Sequence, residues 1–68
     1  MTYVQSSAIE QVSYDPHART LVATFRESGR TYVYDQVPEE IYDGLLFSDS
    51  LGAHFNANIR DRFPYREL

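Results

Sequence analysis

The sequence contains no cysteine. That single absence removes disulfide staples, thiolate zinc sites and a cysteine nucleophile, so packing alone must hold the fold. Lysine is missing too: all six basic residues are arginine, a side chain suited to planar, bidentate and stacking contacts rather than to diffuse point charge. Glycine occurs only at Gly29, Gly44 and Gly52, which excludes a glycine-rich phosphate cradle. No apolar run approaches the roughly 18 residues of a membrane span. The Met-Thr-Tyr-Val-Gln opening lacks the basic and apolar regions of a signal peptide, so the cytoplasm is the expected compartment, with no membrane partner.

What is present supports one small folded domain over residues 1–68, with its core at about 8–66. A chain of 68 residues is short for more than one core, and at this size only about 60% of the unfolded surface is buried. Six Tyr and four Phe bring aromatics to 15% within a hydrophobic fraction of 43%, enough large side chains to bury substantial apolar area. Ten acidic residues against six basic give a net charge of −4. This is the wrong sign for a surface that attracts nucleic acid everywhere, so any phosphate site must be local.

The pattern of residues predicts three strands and then two helices. Ile9 to Tyr14 reads as a strand closed by the turn pair Asp15-Pro16. Thr20 to Arg26 alternates Leu21, Ala23 and Phe25 against Val22, Thr24 and Arg26, and Thr31 to Asp35 follows a turn at Gly29. Pro38-Glu39-Glu40 then marks a helix start, with Ile41, Tyr42, Leu45 and Leu46 as its buried stripe and Gly44 an interruption. Ser48-Asp49-Ser50 offers caps for a second helix carrying Leu51, Phe55 and Ile59, and Phe63-Pro64 ends regular structure. The expected fold is α+β: a small three-stranded antiparallel meander followed by two short helices packed on one face.

Tyr32-Val33-Tyr34, Val37-Pro38-Glu39-Glu40-Ile41-Tyr42, Phe55-Asn56-Ala57-Asn58-Ile59-Arg60 and Phe63-Pro64-Tyr65-Arg66 stand in this order along the chain. Together they resemble the KTSC domain family, named for the C-terminal extension of some lysyl-tRNA synthetases and found also as small stand-alone bacterial proteins. The resemblance implies a tRNA-related setting, with RNA or tRNA as the partner.

The hairpin before Tyr32 admits two registers, and a one-residue slip would invert the strand. A two-residue Ser28-Gly29 loop pairs Phe25 with Tyr32 and sends Tyr32 and Tyr34 to the core face. A three-residue Glu27–Gly29 loop pairs Thr24 with Tyr32 and leaves both rings outside as stacking platforms. The core arrangement gathers the large apolar groups and is the one expected.

The candidate ligand surface is the C-terminal stretch. Arg60, Arg62 and Arg66 would hold phosphates and Tyr65 would stack on a base, with Tyr32, Tyr34 and Asn56 as further contacts. Competing with this, the arginines would neutralise the helix C-terminus or pair with Asp61, Glu67 or the acidic first helix. A protein-binding module using that acidic helix or an exposed strand edge is the alternative function. His17 and His54 have no ordered catalytic partners, and no ligand spacing recommends a metal, so no enzyme activity and no cofactor are expected. The molecule is expected to be a monomer or weak homodimer.

Overall fold

The computed structural model describes the backbone of residues 2–3 and all of residues 8–68. The sequence reading of Met1 to Gln5 otherwise lies outside the described residues. In chain order the elements are β1 (Thr2–Tyr3), β2 (Ile9–Asp15), β3 (Thr20–Phe25), β4 (Thr31–Tyr34), α1 (Glu39–Leu46), α2 (Leu51–Asn58) and β5 (Tyr65–Glu67). The strands form one antiparallel sheet in the order β1-β2-β3-β4-β5.

The meander of β2, β3 and β4 is the predicted core of this sheet, but the expected count of three is too low. The two-residue β1 and three-residue β5 are too short to show an alternating pattern. Phe63-Pro64 does not end the sheet. Pro64 needs no donor there, and its carbonyl accepts the first bond of the β4–β5 ladder from the Asp35 amide at 2.8 Å.

Turn chemistry sets the β2–β3 connection, because the Asp15 carboxylate accepts from the His17 and Ala18 amides. In the β3–β4 hairpin the face was predicted and the loop was not. Leu21 pairs with Tyr34 and Ala23 with Tyr32, so both tyrosines share the face of the apolar β3 residues. The loop, however, spans residues 26–29. Phe25 donates to the Arg30 carbonyl and Gly29 to the Phe25 carbonyl, each at 2.9 Å. Gly29 adopts φ +71°, where a glycine avoids the Cβ clash, and the Arg30 amide donates to Ser28 Oγ, stabilising the wider turn. The pairing lies two residues from the expected one, and an even shift keeps every side chain on its face.

Both helices cover the face that carries Val12, Tyr14, Leu21, Ala23 and Tyr34. Phe55 from α2 lies edge-on to Phe25 and Tyr34, with ring centroids at 5.5 and 5.3 Å. It joins Ile9, Val37, Leu45 and Ile59 in one buried cluster. Ser50 caps α2 by accepting from the Ala53 amide. Pro38 is the residue before α1 rather than part of its first turn. Of the predicted α1 stripe, Leu45 is buried, Ile41 and Tyr42 are half-buried, and Leu46 is exposed. An eight-residue helix on so small a sheet has too little opposing surface to cover the whole stripe. Tyr42 stacks on Tyr14, whose hydroxyl donates to the Val37 carbonyl, tying the start of α1 to β2. Gly44 faces the His54 imidazole, which lies 3.6 Å from where a Cβ would stand.

Candidate functional site

β4 and β5 together build an aromatic wall. Tyr34 pairs with Tyr65 and Tyr32 with Glu67, so these four side chains emerge on the helix-covered face. The Tyr65 ring touches both others, 5.9 Å from Tyr32 and 5.4 Å from Tyr34 between centroids. Tyr34, at 3% exposure, forms the floor, whereas Tyr65 is 57% exposed. Burial raises the Tyr34 phenol above its ordinary pKa, while the charge of Arg60 acts in the opposite direction.

Opposite the wall, the end of α2 and the residues after it contribute Asn56, Arg60 and Asp61. The β3–β4 loop closes one side with Glu27 and Ser28. Together with Phe25 and Ala8 these surfaces enclose an open groove of about 780 Å³. Arg60 donates to Asn56 Oδ1 at 3.4 Å, one helical turn away. The groove holds one guanidinium against two carboxylates, those of Glu27 and Asp61.

Five of the seven predicted site residues therefore converge here: Tyr32, Tyr34, Tyr65, Asn56 and Arg60. Arg62 and Arg66 do not, so the three arginines expected to hold phosphates do not share one surface. Arg66 pairs with Val33, which places it on the opposite sheet face, and its guanidinium bonds Asp35 at 3.1 Å. The reason is strand geometry: neighbours along β5 alternate sides, so Tyr65 and Arg66 cannot serve one surface. Arg62 is exposed in the turn after α2, where its amide donates to the Ile59 carbonyl. Asn58 bonds the His54 carbonyl within its own helix.

Sequence reasoning passed over Arg30. It precedes β4 on the tyrosine face, with Nε 3.9 Å from Glu67 Oε2. A side-chain hydrogen bond with Tyr32, then the charge of Glu67, hold it above its ordinary pKa. The period-two spacing Arg30, Tyr32, Tyr34 was the available signal. His17 lies in the turn between β2 and β3 and His54 on α2. Among the described residues no three His, Asp or Glu side chains gather as a metal would require, and no helix is long and apolar enough to cross a membrane.

A short antiparallel sheet with a helical pair on one face and an aromatic groove beside the second helix defines a small α+β domain. The KTSC domain family matches residues 5–63, and the chain belongs to it. The crystal structure of a KTSC domain protein from Yersinia pestis superposes with a TM-score of 0.94 at 37% identity, covering 98% of this chain and 93% of that one. A protein from Tsukamurella paurometabola is 43% identical over 63 residues, 93% of this chain and 92% of its own. A lysine–tRNA ligase from Nostoc punctiforme is 36% identical over 64 residues, 94% of this chain but 11% of the ligase.

Proposed function

We propose that the chain is a non-catalytic binding module that takes unpaired RNA bases on the tyrosine wall of its groove, with Arg60 beside a phosphate. The observation that carries this reading is the convergence of Tyr32, Tyr34 and Tyr65 with Asn56 and Arg60 on one concave surface. The exposed Tyr65 ring is a platform of the kind on which bases stack in sequence-tolerant single-strand binding. The similarity to a stretch of a lysine–tRNA ligase supports a tRNA-related setting. Glu27 and Asp61 repel a dense phosphate array, so the ligand is an unpaired segment whose affinity rests on stacking more than on charge. Such a ligand is met in the cytoplasm.

Anisotropy of labelled single-stranded oligonucleotides and of tRNA tests this. Tyr65→Ala should weaken binding about 5- to 150-fold, the equivalent of about 1–3 kcal/mol for one stacked base. Tyr65→Phe should retain most of the affinity. Wild-type protein that binds neither ligand, or Tyr65→Ala that binds normally, defeats the reading.

The second reading is an extended protein segment pairing with β5, favoured by the position of that strand at the end of the sheet order with all three residues exposed. The amide of Leu68 bonds inward to Thr31, so by alternation that of Glu67 faces outward. Glu67→Pro should therefore abolish such pairing and leave the domain folded. Loss of a nuclease-resistant partner in this variant, with the fold retained, would favour the second reading.

A further inference from the structure

Arg30, Tyr32 and Tyr34 lie two residues apart in succession on β4 and its immediate extension. The Phe25 amide bonded to the Arg30 carbonyl continues the ladder to that point. Residues so spaced share one sheet face. The tyrosine row thus has a guanidinium at each end: Arg60 beside Tyr34, and Arg30 beside Tyr32, just past the groove wall. Arg30 shares a side-chain hydrogen bond with Tyr32, which keeps its guanidinium beside the ring row, but it is not held by a tight anion. Its contact with Glu67 is a loose 3.9 Å, with the side chains 61% and 47% exposed, and exposed pairs of this kind are readily exchanged for a better anion. Arg66, by contrast, is held at 3.1 Å by Asp35 on the other face.

We infer that Arg30 is a second phosphate contact of the groove, that the ligand is therefore two successive unpaired nucleotides laid along the tyrosine row, and that Glu67 competes with the incoming phosphate for Arg30. This inference rests on the RNA reading above. Arg60 lines the groove near Tyr34 whereas Arg30 lies outside the lining, beyond Tyr32, so the two guanidinium groups are assigned to separate phosphates. Exchange of Glu67 for phosphate converts a loose ion pair into a charge-assisted contact able to be bidentate. The carboxylate of Glu27 also lines the groove and disfavours the second strand of a duplex.

The test measures binding of a labelled eight-nucleotide oligouridine across a salt series, with circular dichroism confirming the fold of each variant. Each phosphate contact on a single strand contributes a slope of about −0.7 in log K against log salt, so wild type should give about −1.4 and Arg30→Gln or Arg60→Gln about −0.7. Glu67→Gln should bind about two- to five-fold tighter at low salt, the range open to a broken exposed pair. That gain should vanish when Arg30→Gln is added. Oligonucleotide binding with a wild-type slope in Arg30→Gln, or a Glu67→Gln gain that persists without Arg30, overturns the inference and leaves the groove reading standing. Failure of the wild-type protein to bind at all defeats the RNA reading itself.

Discussion

Replacing Phe55 by alanine should come close to unfolding the protein. Phe55 is 0% exposed and meets Phe25 and Tyr34 edge-on, so it joins α2 to the sheet and supports the floor of the groove. Burial of an aromatic side chain removes about 150–250 Å² from water, worth about 4–6 kcal/mol at 25 cal/mol/Å². Phe→Ala replacements in cores cost about 3–5 kcal/mol. A domain of 68 residues has a total stability of about 3–10 kcal/mol at 0.05–0.15 kcal/mol per residue. The loss is therefore comparable with the whole. Urea titration followed by far-ultraviolet circular dichroism should show a midpoint lower by about 3 M or more, taking a slope near 1 kcal/mol/M for so small a chain, or no folded baseline. Phe47→Ala is the internal control, since Phe47 is 88% exposed and its loss should move stability by no more than about 0.5 kcal/mol. A Phe55→Ala midpoint within the error of the Phe47→Ala midpoint would refute the placement of this ring as the keystone of the helix–sheet contact.

Two further outcomes follow from the same packing. Burial raises the Tyr34 phenol above its ordinary value, so the folded state holds that proton after the unfolded chain has lost it. The corresponding stability is complete below about pH 10, the unfolded tyrosine value, and declines as pH rises through the higher folded value. Tyr34→Phe should therefore flatten the alkaline fall in stability, measured by urea midpoints from pH 9 upward, and an unchanged fall would contradict the burial. Gly44→Ala should stabilise the domain by up to about 1 kcal/mol through helix propensity. Its new Cβ would stand 3.6 Å from the His54 ring, an ordinary contact. A lowered thermal midpoint would show that this approach is tighter than the geometry indicates.

Several features of the site were legible along the chain. Alternation in Thr20–Phe25 separated Leu21 and Ala23 from Val22 and Thr24, and the predicted face of Tyr32 and Tyr34 followed from gathering the apolar groups on one side. The four-residue spacing of Leu51, Phe55 and Ile59 found the buried side of α2, where Phe55 and Ile59 are fully enclosed. The last residues were misread because proximity along a chain is not proximity on a surface. Arg60, Arg62 and Arg66 are close in number, yet a helix end, a turn and a strand carry them apart. The β3–β4 loop was misjudged by two residues for a related reason: the Arg30 amide finds Ser28 Oγ, a local hydrogen bond that hydrophobic pattern does not report.

By itself, the order of apolar and polar residues determined the α+β class, the central meander and the two helices, because side-chain periodicity is a local property written into neighbouring positions. Only the tertiary structure decided that Tyr65 joins Tyr32 and Tyr34 while Arg66 faces Asp35 across the sheet. Pairing of β5 with β4 is a contact between segments some thirty residues apart, and it is this pairing that assigns each of its side chains to the groove or to the opposite face.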